Sequence, residues 1–359
     1  MNNKYNPDML KIARESRNLT QQELAEKLMI PQVLVSKMEA GLKIIDENIM
    51  EKLVESLHYP STFFEHTFQA LDMGARLHRK KSSLTRKDEN FIDAQASIRN
   101  IFISELLTRL DIDVNVPEML LSDFESSEKI AEELRRIWDI SKGFIGNISK
   151  LIESKGIFIC ELDFPIKTFD AVSFYNKKNN YGVILINKNF PPDRYRFTLA
   201  HELGHLIMHR NFPSANAEDE ANDFAAAFMM PEKDIIEDLK DLHFWDLSNL
   251  KAVWKVSMAA LLYRAKELKC IDEKKYTSLQ VRLSQQGYKK SEPPCGLEIE
   301  KPSLFKDILD YYYNELNFDE VTIRKMFGIF KDDYRNICYL LPTANIKPKN
   351  NNLVQLKLV

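Results

Sequence analysis

The chain has 359 residues, 44% of them hydrophobic and 29% charged, with a formal net charge of -3 at neutral pH. That length allows two or three domains with their own cores, and the balance excludes a disordered chain and one that attracts nucleic acid through bulk charge, so DNA would have to be met by a local surface. The N-terminus has no apolar signal-like segment, no run approaches the length of a membrane span, and Cys160, Cys270, Cys295 and Cys338 show no C-x-x-C spacing; the expectation is a cytoplasmic protein with no membrane partner.

Residues 6–68 read as a small helical bundle. Asn6-Pro7 is a helix start, with a capping side chain followed by proline at the first helical position, and Leu10, Ile12 and Ala13 form its buried side. Thr20-Gln21-Gln22-Glu23 is a capping box opening a second helix with Leu24, Ala25 and Leu28 inward. After the break Met29-Ile30-Pro31, a third helix over residues 32–40 carries Val35 and Met38, with Gly41 as its stop. Two helices joined by a three-residue turn are the unit whose second helix enters the major groove.

The run T-Q-Q-E-L-A (residues 20–25) and V-S-K-M-E-A-G (residues 35–41) resembles the XRE (Cro/C1-type) helix-turn-helix domain. The resemblance implies that Gln32, Val33, Ser36 and Lys37 face base edges and that Gln21 positions a phosphate. It also implies an operator with paired half-sites, read by a homodimer. Met29 stands where the family commonly has glycine. Residues 1–66 hold eight Lys/Arg against ten Asp/Glu, so the bundle is net acidic, which permits a head that binds protein instead of DNA.

A basic stretch follows: Arg76, His78, Arg79, Lys80, Lys81, Arg86 and Lys87, with no acid between Met73 and Asp88. A solvated linker and a phosphate-contacting arm both fit it. Residues 88–150 return to helical periodicity through Ile92, Ile98, Phe102 and Leu106, then residues 130–140 around Trp138, with a break near Val116-Pro117. At Gly156 the period changes. Residues 157–160, 171–174 and 182–187 are short β-rich runs separated by polar turns, which predict a small sheet.

Pro191-Pro192-Asp193 then starts a helix carrying His201-Glu202-Leu203-Gly204-His205. In a helix, histidines at i and i+4 share one face and can reach one ion, while Glu202 lies beside it as a general base for a zinc-activated water. A third protein ligand is needed. His209 lies eight residues from His201, about 12 Å along a continuous helix, too far to join both histidines. The next helix, residues 218–231, has acids in its first turn and a short loop before it, so a carboxylate near its start can meet the histidines. Asp219 and Asp223 are expected on its wet face, and Tyr195 and Arg196, just before the motif, in solvent-facing or structural roles, with oxyanion stabilisation as the alternative.

R-F-T-L-A-H-E-L-G-H (residues 196–205), E-D-E-A-N-D-F-A-A (residues 218–226) and M-M-P (residues 229–231) together resemble the ImmA/IrrE family of zinc metallopeptidases. The E-x-x-x-D spacing of related zincins maps the third ligand to Glu218, with Glu220 as the alternative, and puts Asn222 where an acid braces a histidine. The resemblance implies a Zn²⁺ cofactor held by His201, His205 and Glu218, Glu202 as base, and limited cleavage of a protein partner, typically a repressor or antitoxin-like regulator. The alternative is a transcriptional regulator whose zincin domain is a silent sensor or dimerisation module.

The expected fold class is α+β. It comprises an all-α helix-turn-helix bundle (1–70), a basic linker and helical connector (71–145), a mostly helical zincin-like metallopeptidase domain with a small β-sheet (146–270), and a helical C-terminal region (271–359). In that last region helices are expected around residues 304–316 and 321–337.

Overall fold

The computed structural model describes residues 4–67, 84–110, 116–164, 169–212, 214–294 and 296–338. Arg76, His78, Arg79, Lys80 and Lys81 of the basic stretch therefore lie outside the described residues. Among the described residues the fold is α+β, with sixteen α-helices and one three-stranded sheet.

The first helix, α1 (Pro7–Ser16), is capped by the Asn6 side chain and begins on proline. In α2 (Gln21–Leu28) the Thr20/Glu23 capping box forms in both directions. The helix ends at Met29, which takes the left-handed conformation (φ 54°) with its side chain 89% exposed, a strain of about 1 kcal/mol in a residue with a Cβ. Then come α3 (Gln32–Glu39), α4 (Glu47–Leu57) and a 3₁₀ turn, Ser61–Glu65.

A 22-residue helix, α5 (Arg86–Leu107), starts on a second reciprocal capping box, Thr85 with Asp88. It is followed by α6 (Ser127–Ile137) and α7 (Ile148–Glu153). The strands are β1 (Ile157–Leu162), β2 (Ala171–Asn176) and β3 (Tyr181–Asn187). Their order is β1-β3-β2, with β1 parallel and β2 antiparallel to β3, so β2 is an outer strand.

Side chains alternate across this sheet, and the two faces enter different cores. Ile157, Ile159, Ala171, Ile184 and Ile186 pack toward α8 (Pro192–Met208) and α9 (Ala217–Met229). That core is completed by α10 (Glu232–Leu239), α11 (Asp246–Trp254), α12 (Met258–Glu267) and α13 (Glu273–Gln285). Phe158, Cys160, Phe174, Val183 and Leu185 point the other way, into a core shared with α5 and the N-terminal bundle. At the end of this face the Tyr181 hydroxyl meets Asn100 Oδ1 at 2.8 Å and Ser104 Oγ at 2.7 Å, tying α5 to the sheet.

The C-terminal helices α14 (Leu304–Asn314), α15 (Glu320–Phe327) and α16 (Lys331–Cys338) join the same core. Phe327 stacks on Phe102 with centroids 4.4 Å apart, Tyr312 donates to the Leu106 carbonyl at 2.6 Å, and Arg17 of the bundle pairs with Asp333 at 2.7 Å. Residues 321–337, expected as one helical stretch, are two helices. Gly328 takes φ +63° between them, and a Cβ there would sit 2.8 Å from the Phe63 backbone, so the chain turns where only glycine fits.

Candidate metal centre and nucleic-acid interface

The apolar wall of α8 is buried against the sheet and α9, which leaves His201, Glu202 and His205 all 2% exposed. Gly204 permits the close approach of α9. A Cβ at that position would lie 2.9 Å from Phe224 Cδ1, so a larger residue would push α9 away. With the two helices this close, Glu218 in the first turn of α9 reaches the histidines.

Nε2 of His205 lies 3.1 Å from Nε2 of His201, and the Glu218 carboxylate oxygens lie 3.4 Å from His205 Nε2 and 3.7 Å from His201 Nε2. These three groups are the one set among the described residues whose donor atoms, all within 4.8 Å of one another, could hold a metal ion. Ligand atoms bound tetrahedrally at zinc distances stand about 3.3 Å apart, so the observed spacings fit such an ion.

The other ring nitrogens are held as ligand histidines require. His201 Nδ1 is 2.9 Å from Asn222 Oδ1. A carbonyl oxygen only accepts, so Nδ1 donates and the Nε2 lone pair faces the site. His205 Nδ1 is 3.1 Å from His209 Nδ1, and His209 Nε2 is 2.7 Å from Glu220 Oε2. The carboxylate accepts a hydrogen bond from His209 Nε2–H, His209 Nδ1 accepts from His205 Nδ1–H, and the Nε2 lone pair of His205 is likewise left for the ion. Burial holds the His209 pKa below its ordinary range, against the raising pull of Glu220, which keeps this ring neutral. Glu220 is thus on His209, away from the three converging donors, and a Ser214 hydroxyl donates to its other oxygen at 2.8 Å.

The Glu202 carboxylate meets β2, where the Ser173 hydroxyl donates to its Oε2 at 2.8 Å. Ser173 does not stand out in the sequence as part of a site, and His209 and Glu220, each weighed there as a ligand, are instead paired with one another behind His205. Spacing relates residues on one helix, whereas these contacts depend on which strand and which turn of α9 meet α8. Asp219 is exposed, but Asp223, expected on the wet face, is half-buried and accepts from the Tyr263 hydroxyl at 2.7 Å because α12 covers that side of α9. Arg196 is 1% exposed and donates to the Lys255 and Gly146 carbonyls and to Glu300, a structural role; Tyr195 is equally buried and bonds to Glu161.

On the N-terminal bundle, Val33 is 57% exposed and Lys37 is exposed, both on α3. Gln32 and Ser36 are half-buried. Gln32 donates to Gln21 Oε1 at 2.7 Å, Gln21 donates to Glu39 Oε2 at 2.8 Å, and Arg14 donates to the same Glu39 oxygen at 2.9 Å. A buried Arg14–Glu39 pair therefore braces the two glutamines from below. Gln21, Gln32 and Ser36 border a concavity of about 830 Å³ whose far rim is Arg86 and Lys87 at the start of α5, with Lys87 paired to Glu23 at 2.8 Å.

A helix carrying two histidines and a glutamate, with a carboxylate from the next helix brought against it and a small mixed sheet behind, forms a site that could hold a metal ion. It is joined to a bundle with an exposed helix of the groove-reading kind. Comparison with known families agrees on both counts: residues 152–266 match the Peptidase_M78 family, described as the IrrE N-terminal-like domain, and residues 10–64 match a helix-turn-helix family. The chain thus fuses a helix-turn-helix domain to an IrrE-like peptidase-family domain. No curated protein matches the chain.

Proposed function

We propose that the protein is a cytoplasmic DNA-binding regulator that cuts a protein partner with a zinc-dependent endopeptidase site. The observation that carries this reading is the convergence of His201, His205 and Glu218 donors, two of them on the helix that also carries the buried Glu202. His201, His205 and Glu218 would hold Zn²⁺, which when bound supplies Lewis-acid polarisation and an activated water. Asn222 and the His209–Glu220 pair fix the tautomers of the two histidines. Glu202, oriented by Ser173, takes the proton of the attacking water and delivers it to the leaving nitrogen. Burial of His201, Glu202, His205 and His209 strengthens their interactions and leaves little to reorganise during the reaction.

In the bundle, Gln32, Val33, Ser36 and Lys37 are assigned to base edges and Gln21 to a phosphate, with a homodimer reading paired half-sites. A repressor-like substrate fits a chain that carries its own operator-binding surface.

The decisive variant is Glu202→Gln. Zinc content and DNA binding are expected to match the wild type, while cleavage of the partner falls by about 10²–10⁴-fold, the contribution of a general base. Undiminished proteolysis in that variant would remove the mechanism. If the wild type shows no cleavage and every cellular output is the same in both, the domain serves as a binding module instead.

A further inference from the structure

Next to the metal centre lies a cavity of about 760 Å³, within the range of about 300–1,000 Å³ typical of ligand pockets. Its inner wall is Phe197 and Asn222. Phe197 precedes His201 by one helical turn and Asn222 follows Glu218 by one, so the cavity adjoins the ligands from one side. Ala260 and Tyr263 of α12 form a second wall.

The roof is formed by residues 288–294 and 296–297, Tyr288 and Leu297 among them, and it lies beyond the residues that match the peptidase family. This roof is fastened. Lys251, 4% exposed, bonds both Asp193 of α8 and Glu292 of the roof at 2.7 Å. Glu292 also accepts from the Met258 amide at 2.9 Å at the start of α12. Further on, Glu300 pairs with Arg196 of α8 and accepts from the Ser149 amide at 2.8 Å. The Lys251 bridge between Asp193 and Glu292, with the Arg196–Glu300 pair just beyond the roof, thus ties this stretch of chain to the helix that bears the histidines.

The chemistry of the lining selects an occupant. Aromatic, prolyl and aliphatic side chains dominate the interior. The two acids among its described lining residues, Asp193 and Glu292, are both engaged by Lys251, whereas Lys289 and Lys290 are exposed at the mouth. We propose that this cavity takes a large apolar side chain of the peptide substrate, next to an acidic residue that meets Lys289 and Lys290. Substrate choice is then made largely by the C-terminal region of the chain. The assignment rests on the peptidase reading above.

The test uses the full-length, zinc-loaded protein and two dansyl-labelled octapeptides, one with Leu-Asp and one with Ala-Lys at its centre. Cleavage is followed with the wild type, and binding is followed separately by fluorescence anisotropy with Glu202→Gln. The Leu-Asp peptide is expected to be preferred about ten-fold or more in both measurements. Ala260→Trp, which fills the cavity, collapses that ratio to near unity. Lys289→Glu with Lys290→Glu, two surface changes that leave the core intact, reverses the charge preference. Cleavage with no preference, or with a preference that both sets of variants leave unaltered, overturns the pocket and leaves the peptidase standing. Preferential binding without cleavage supports the pocket and removes the peptidase. Neither binding nor cleavage of either peptide sinks both.

Discussion

The two candidate sites of this molecule solve opposite problems. At the candidate metal centre four polar side chains are each fixed by another: His201 by Asn222, His205 by His209, His209 by Glu220, and Glu202 by Ser173. On the bundle, Val33 and Lys37, the residues proposed to meet DNA, reach into water, and the fixed network of Arg14, Glu39 and Gln21 sits one layer below. Chemistry gains from a dry site whose dipoles are already in place, whereas DNA recognition works through exposed donors that displace counterions. Rigidity therefore belongs in the first site and beneath the second.

That contrast breaks most visibly if the relay behind His205 is cut. Glu220→Ala, or His209→Ala, is expected to weaken zinc affinity by about 10–100-fold, as losses behind a ligand histidine do. Because the two act in series, the double variant should lose little beyond either single one. Competition titration with a chelator reads this; additive losses would mean that the two residues act separately. A smaller change is expected on the exposed side. Lys37→Ala should reduce the slope of log affinity against log salt by about 0.9 if it meets a phosphate, and should instead relax sequence preference at unchanged slope if it meets a base edge. Either way the melting temperature of the protein should stay the same, which separates a reading residue from a bracing one.

A further test concerns a strut between the two halves. Glu153 at the end of α7 accepts from the Ser303 and Leu304 amides at 2.8 and 3.1 Å, joining the metal side to α14. Burial pushes its pKa up from 4.5 to about 8. A folded value above the unfolded one means that its stabilising contribution is complete below pH about 4.5 and is lost as pH rises through about 8. Thermal melts between pH 5 and 9 should therefore fall less steeply for Glu153→Gln than for the wild type, and parallel curves would remove the assignment.

Local chemistry made much of this molecule legible. The Thr20/Glu23 capping box, the stop at Gly41, the proline start of α8 and the period change after Gly156 each act over a few residues, and each appears where the sequence puts it. The pair of histidines with Glu202 was readable for the same reason, since one helix fixes their spacing. What spacing does not encode is how separate elements meet. The choice between Glu218 and Glu220 turns on the rotation of α9 against Gly204, and the place of Ser173 turns on β2 facing α8. The break at Gly328 follows from the backbone of Phe63 pressing against it, a contact across more than 250 residues. Helices α10, α11 and α13 carry no motif, and sequence reading passed over them.

Helix α5 lies between the sheet and the bundle and contributes side chains to the core that both share. A hinge at that place would have to expose Phe102, Ile103 and Leu106, all fully buried, so swinging the bundle freely about the sheet is costly. The consequence is one of reach. Any duplex lying along α3 would stand at a set distance and bearing from the metal centre, and a partner could be cut while bound to that duplex only if its scissile segment extended across this interval. The span of the linker in such a partner, measured in residues, would then be matched to the width of this protein.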